Sequence, residues 1–449
     1  MALGGLDVQA PGTTTLAGGT VALGNAAGGG NVVHVAAGAT ALVTSRMTGD
    51  DGLVKTGSGR LTLTGSSTYA GTTVVSAGTL AIGNGSTVGS LSGPVRVDAA
   101  GTLLLNRSNT RPMAAAISGS GAMIQSGVGT TVLAAANTFS GSTTVQAGVL
   151  RVDHADGLAS SPTIVAGGRL EVAPGATMRA PRLRVAGGSL SASTLLVGGT
   201  VVGMVAIESG SLAGTPAVSV VAGGTLTLPD ARQTFALASL AVDGGRVDIG
   251  RSRIDVAPGG VTLADLRADL LAARNGGLWN GTAGIGSSAA ASTLSRAVGY
   301  HVQASVTTSV AWAAFGDVNL DGQVDSTDIS LINMGGFFNS GRTDAHWYLG
   351  DFNYDGLVNS TDITLLNTSG LFGSGLYAST LGAGGLLALG SFGGEGLPLE
   401  QPSVAGFATV PEPSGGFLAA LGAVVAALAS RLARGRERVS IDGVSSCRS

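Results

Sequence analysis

The sequence predicts a mainly β protein. A parallel β-solenoid comes first, then a small α-helical module built on two acidic loops, then an apolar C-terminal helix. Three observations predict this order. A Gly-centred unit returns at gaps of 20 to 23 residues through much of the first 260 residues. Two near-identical stretches, Gly316–Asp328 and Gly350–Asp362, carry Asp and Asn at matched positions. A short apolar run near the C-terminus is followed by clustered Arg.

Composition supports the first element. The chain has 449 residues, 75 of them Gly, with only 11% charged and 4% aromatic. That is too apolar for a disordered chain, and the Gly has no G-X-Y period. Short β segments punctuated by Gly fit better. The net charge of −3 gives no basic field for nucleic acid. The single cysteine, Cys447, excludes an internal disulfide and a Cys-based zinc site. Packing, hydrogen bonds or bound metal must therefore hold the fold. The first residues lack the basic and apolar regions of a secretory leader. Because the tail argues for export, the true start is expected upstream, or the chain is a fragment.

Residues 1–260 read as the solenoid. The unit of small residue, Gly, any residue, then Leu or Val recurs at Gly78, Gly101, Gly148, Gly168, Gly188, Gly210, Gly224 and Gly245. A period near 20 with alternating apolar residues marks a stacked β repeat. Gly is expected at corners where φ turns positive. In the run Arg60–Gly65, Leu61 and Leu63 are expected inward, with Thr62 and Thr64 outward.

A longer repeat lies inside this rhythm. Gly57–Gly83 aligns without gaps on Gly127–Asp153, pairing Tyr69 with Phe139, Val75 with Val145 and Leu80 with Leu150. With its lead-in "GLVKTGSG", this resembles the autotransporter-associated β-strand repeat. The better copy covers 52–84 and a degenerate copy covers 122–153. The resemblance implies a right-handed parallel β-helix acting as a stalk or passenger on a bacterial surface. A polysaccharide-active β-helix enzyme is the competing reading. It needs acids and bases clustered on one face. Here they look scattered, and His34 and His154 show no partner, so a scaffold is favoured.

Residues 261–311 form a joining module. Leu263, Leu266 and Leu270 fall at helical spacing, and a strand or two follows. His301 reads as a strand residue rather than a ligand.

Residues 312–376 carry the sharpest chemistry. Counted from Asp317, oxygen donors fall at positions 1, 3, 5, 9 and 12: Asp317, Asn319, Asp321, Asp325 and Asp328. Gln323 at position 7 offers its main-chain carbonyl, and Gly322 sits at the sharp turn. The second loop repeats the pattern with Asp351, Asn353, Asp355, Leu357, Asn359 and Asp362, and Gly356 at the turn. Calcium is a hard cation that takes six to eight oxygens, and this is its loop spacing. Val324 and Val358 are expected to pair between the loops. Position 12 is expected to begin a helix in each half. Loop one holds four carboxylates and loop two holds three. Uncompensated, they repel, so Ca²⁺ is expected to fold this module, with loop two losing its ion first.

The loops lack the preceding helix and the final Glu of an EF-hand. They resemble a dockerin type I module, which implies loop-plus-helix halves and two Ca²⁺ sites. Ser326, Thr327, Ser360 and Thr361 match cohesin-contacting positions of some dockerins. The basic residues that often follow there are replaced by Asn333-Met334 and Asn367-Thr368.

Residues 377–409 read as a flexible Gly-rich spacer. The segment 410–438 opens on Pro411, Glu412 and Pro413, continues as an apolar helix from Phe417 to about Ala429, and ends on Arg431, Arg434, Arg436 and Arg438. By the positive-inside rule its C-terminus faces the cytoplasm. That three-part order resembles the PEP-CTERM sorting signal. It implies membrane attachment through the helix and recognition by an exosortase-type enzyme. Residues 439–449 form an extra tail. The whole reads as a non-enzymatic exported protein of the cell surface or matrix, acting in adhesion or biofilm structure. It would reach the surface through an inner-membrane precursor and bind a surface glycan or a cohesin. The cohesin-docking alternative would place it in a polysaccharide-degrading assembly.

Overall fold

Short strands with alternating inward residues cannot bury their apolar face alone, so they stack. The computed structural model describes residues 4–377, apart from 25–30, 175, 177, 179–181, 199–202, 294 and 304–305. These residues form a mainly β solenoid of about ten turns with few helices. Successive turns pair in parallel. One column runs in register through Ala41, Leu61, Leu80, Leu103, Met123, Thr143, Thr163, Leu183, Val205, Leu226, Val247 and Ile285. None of the twelve is more than 6% exposed, so the interior is filled side chain on side chain. Each large apolar member contributes about 1.5–3 kcal/mol by burial.

The glycines serve two purposes. Gly78 has φ +69, and a Cβ there would meet the carbonyls of Gly57 and Gly59 at 2.5 Å. Gly188 has no positive φ, yet its Cβ would lie 2.1 Å from Gly168 O. Positive φ was the expected reason for the repeated Gly. At most of the repeated positions the reason is instead the close passage of the turn beneath. Thr62 is also corrected: it is buried, and its Oγ1 accepts from Arg60 Nε at 3.3 Å.

The two repeat copies do not stack on each other. Strand Leu53–Thr56 pairs with Asn31–Val35 and Thr73–Ile82. Its counterpart Ala122–Gln125 belongs to the column of Arg60–Leu63 instead. A spacing of 70 residues is not a whole number of turns, so the second copy is displaced by one face. Their interiors differ by matched substitutions. Buried Lys55 donates to the carbonyls of Thr56, Gly57 and Ala77 at 2.7, 2.6 and 3.1 Å. In the second copy Gln125 donates to Gly127 O at 2.8 Å, and its own carbonyl accepts from Thr131 at 2.7 Å. Tyr69 shares a 2.6 Å hydrogen bond with Thr73. Phe139 has no hydroxyl, and Thr143 turns to Ser161 Oγ at 2.8 Å.

The C-terminal end of the solenoid is closed by inserted structure. Helix α1 (Leu263–Arg274) enters between strands Arg246–Asp248 and Gly284–Gly286. Thr262 caps it by accepting from Asp265 N at 3.1 Å, and Leu266, Leu270 and Ala273 are buried. After the short helix α2 (Ser288–Ala291), an antiparallel hairpin of Arg296–Gln303 and Thr307–Ala314 follows. Its second strand pairs antiparallel with Arg253–Val256 and ends the parallel rise. His301 lies on the first strand, stacked on Tyr348 at 5.5 Å.

Among the described residues, no helix is long and apolar enough to cross a membrane. The expected apolar helix, the spacer from 378 onward and the motif Pro411, Glu412 and Pro413 all lie outside the described residues.

Candidate metal centre

The two acidic loops fold alike. Each places its first Asp inward and ties the next four residues around it. Asp317 is 1% exposed; its Oδ1 accepts from Asp321 N at 3.2 Å and its Oδ2 from Gly322 N at 3.0 Å. Asp351 is also 1% exposed, and its Oδ2 accepts from Gly356 N at 3.0 Å. Asn319 and Asn353 each accept from the residue two ahead, at 2.9 and 2.8 Å. Asp321 and Asp355 do the same for Gln323 N and Leu357 N, both at 2.8 Å. Two left-handed residues bend each loop: Leu320 and Gly322, then Tyr354 and Gly356.

Position 12 does not begin the helices. Helix α3 (Ser326–Gly335) and helix α4 (Ser360–Ser369) start two residues earlier. Asp325 and Asn359 are their N-caps, accepting from Thr327 N and Thr361 N at 2.7 Å. Asp328 and Asp362 complete the capping boxes. Their second oxygens reach back to Val318 N at 2.9 Å and Phe352 N at 2.8 Å, which closes each loop. Position 9 thus already spends one oxygen on the helix: a cation would meet Asp325 through its second oxygen or through water, and Asn359, whose one side-chain oxygen is engaged, through water.

The expected pairing of Val324 with Val358 does not occur. Val358 bridges to Phe338 and accepts from Asn339 N at 2.9 Å, while Val324 accepts from Gly373 N at 2.9 Å. Each loop is buttressed by the segment after the other half's helix. The swap is a local two-fold arrangement that loop spacing alone does not reveal.

Whether the donors fit a cation can be judged from their protonation. Burial pushes the Asp317 and Asp351 carboxyls up to about 7, and Asp328 to about 6. Asp362 is raised for the same reason. Nearby acids add to each shift. Asp351 Oδ1 is buried with no hydrogen-bond partner. An oxygen-lined loop with costly buried carboxylates and an orphan oxygen fits a hard divalent ion. Among the described residues no three His, Cys, Asp or Glu gather into a ready-made metal centre. The loops mix carboxylate, amide and carbonyl oxygen instead. Residues that would hold Ca²⁺ are Asp317, Asn319, Asp321, Gln323 and Asp328 in one loop, and Asp351, Asn353, Asp355, Leu357 and Asp362 in the other, with Asp325 and Asn359 contributing at position 9. Ser326, Thr327, Ser360 and Thr361 are exposed at the helix starts.

The loops rest on the solenoid. Arg253 donates to Leu320 O at 3.2 Å, and within the module Trp347 donates to Asp317 O at 2.8 Å. Tyr354 donates to Val298 O and packs edge-on against Trp279 at 5.7 Å. Two residues outside the loop motifs touch the first ligand of each loop. Tyr377 donates to Asp317 Oδ2. Arg267 of α1 lies 3.7 Å from Asp351 Oδ2 and donates to His346 Nδ1 at 2.8 Å. Neither is visible as a partner in the sequence, since both lie outside the repeating pattern.

Several charges on the solenoid rungs are paired rather than single. Arg151 grips Asp153 through two contacts of 2.7 and 2.8 Å, and Arg184 meets Glu208 at 2.5 Å. These hydrogen bonds hold both acids below their usual range, the wrong direction for a general acid. His34 contacts Thr56 Oγ1 at 3.1 Å, and His154 accepts from Asp156 N at 3.1 Å.

Comparison with known proteins bears on the solenoid. Residues 53–82 and 123–152 match the passenger-associated-transport-repeat family, so the chain carries autotransporter-type β repeats. It is similar to the adhesin BmaC autotransporter of Brucella suis biovar 1 (strain 1330), 33% identical over 168 residues. That similarity covers 32% of this chain and 5% of the adhesin's length. No solved structure matches the chain.

Proposed function

We propose that the chain is a non-enzymatic, exported surface protein whose solenoid acts in adhesion or envelope structure, with a calcium-stabilised module at its C-terminal side. The observation that carries this reading is the pair of transport repeats, which lie in solenoid turns packed solid with side chains. The similarity to an autotransporter adhesin supports the surface role. Antibody against the solenoid should label intact producing cells. Labelling that appears only after permeabilisation would overturn the surface role.

The calcium part rests on the matched scaffold of the two loops. Bound Ca²⁺ would supply the positive charge that the buried carboxylates lack. The chain's own residues do the rest: Gly322 and Gly356 turn the loops, and the capping boxes hold Asp328 and Asp362 in place. Calorimetry with calcium chloride on the whole chain should register two sites. The C-terminal part of the proposal is sorting through Pro411, Glu412 and Pro413 by an exosortase-type enzyme. Mass spectrometry of the mature C-terminus tests it, and an uncut tail would refute it.

A second reading has one observation in its favour. Ser326, Thr327, Ser360 and Thr361 stand exposed, where a cohesin could reach them. Capture by immobilised cohesins that requires calcium and is lost on Ser360→Ala with Thr361→Ala would favour docking over adhesion.

A further inference from the structure

Where the solenoid end meets the hairpin, positive charge outnumbers negative charge. A cavity of about 310 Å³ is lined by Asp230, Arg251, Ser292, Thr293, Arg296 and Trp312. That is at the small end of the roughly 300–1,000 Å³ typical of small-molecule sites. A third guanidinium, Arg232, lies beside it. Arg232 and Arg296 both sit over the Trp312 ring, at 5.1 and 5.2 Å from its centre. They also sit over Tyr377, at 5.7 and 4.8 Å. Asp230 is committed to Arg251 through contacts of 2.9 and 3.0 Å. Among the described residues, no carboxylate forms an ion pair with Arg232 or Arg296. Both are partly buried, and burial lowers both guanidinia from their ordinary value. For Arg232 the charges of Arg251 and Arg296 add to this, while Tyr377 and the Asp317 carboxylate act against it.

The wall is also short of acceptors. Arg296 Nε and Trp312 Nε1 are buried donors without a partner. A buried donor left unsatisfied costs about 1–3 kcal/mol. Partly buried cations are normally paired; here the rings, with Tyr377 O accepting from Arg232 and Ser295 O and Oγ accepting from Arg296, offset only part of that need.

We propose that this cavity binds a uronate unit of an anionic polysaccharide. One carboxylate per unit would answer the surplus guanidinium, which presents a fork matched to that group. Ser292, Thr293 and Asp230 would meet ring hydroxyls as donors and acceptors. Ser292 and Thr293 in the lining favour a sugar, because a ring hydroxyl both donates and accepts while a glutamate side chain only accepts. The site shares Tyr377 with loop one, where its hydroxyl donates to Asp317 Oδ2, so its occupancy has to be tested with the calcium level held fixed.

The test is calorimetry on the whole chain at constant calcium, with tri-galacturonate as probe and neutral maltotriose as control. The acidic trisaccharide should bind and maltotriose should not. Arg296→Gln should weaken binding by about tenfold, close to 1.4 kcal/mol. Because Arg296 also braces two rings, Ser292→Trp serves as a second variant. Ser292 is exposed, so filling the cavity there should block binding while the melting curve is unchanged. Equal binding of maltotriose overturns the proposal. So do unaltered affinity in both variants, tighter binding of poly-glutamate than of tri-galacturonate, and no heat with tri-galacturonate at about 10 mM. Separate calcium titration distinguishes this failure from failure of the loops.

Discussion

The solenoid and the acidic-loop module solve the same problem by opposite means. In the solenoid, successive turns lay a buried and mostly apolar residue over the one below, and most buried polar groups find partners within the chain, Asn31 Oδ1 and Ser67 Oγ excepted. Lys55 has three carbonyls, and Thr143 has Ser161. In the module, four aspartates are buried, and one oxygen of Asp351 is left without a partner. The first region is held largely by its own contacts, while the second would be completed by the cation proposed for its loops. Neighbouring parts of one chain can therefore differ in what unfolds them.

Removing the proposed ion should break the comparison most visibly. A chelator should lower the melting temperature of the module, read by Trp347 fluorescence, while the β signal in circular dichroism persists. At about 100 times the dissociation constant, each ion contributes about 2.7 kcal/mol. An unchanged melt would mean that the buried aspartates need no cation.

A cavity in the solenoid should do the reverse. Leu103→Ala, within the filled column, should cost about 2–5 kcal/mol in denaturant unfolding of the β signal. The loss should be the same with and without calcium. A loss that grows on chelation would show that the two regions unfold together.

Lys55 gives a smaller effect with a pH signature. Lys55→Leu removes the donor from three carbonyls and should cost about 2 kcal/mol. Lys55→Gln with Leu61→Thr copies the polar pair of the second repeat but gives up Leu61 from the filled column, so it should lie about 1.5–3 kcal/mol below the parent. Burial lowers the Lys55 ammonium from 10.5 to about 8. Between those values the unfolded chain holds more protons than the folded one. The parent should therefore gain stability as pH rises from about 8, relative to the double variant. Parallel curves would place the proton elsewhere.

The smallest effect concerns the two loops. Loop two has three carboxylates against four, and Arg267 stands beside its first ligand. It should release calcium first. Arg267→Met should narrow the gap between the sites by a few fold, roughly 1 kcal/mol or less. Two equal sites in the parent chain would remove the basis for this asymmetry.

Much of this was legible in the sequence because it depends on local repetition. Gly78 through Gly245 announced the stacked turns, and Asp317 and Asp351 announced the loops. Spacing was less informative about what faces what. It suggested that Val324 meets Val358, but each is buttressed by the other half's following segment. It suggested lone charges on the rungs, but Arg151 and Asp153 are paired. Helix starts were placed two residues late because the capping boxes recruit the last loop residues.

The amino-acid order by itself determined that strands would stack and that oxygen donors would ring two sharp turns. Both follow from periods shorter than one turn or one loop, which the backbone converts directly into geometry. Only the tertiary structure decided that the repeat copies occupy different faces, that Arg267 and Tyr377 reach the two loops, and that Arg232 and Arg296 converge on Trp312. Those contacts join residues from 16 to 84 positions apart, and no local pattern encodes such distances.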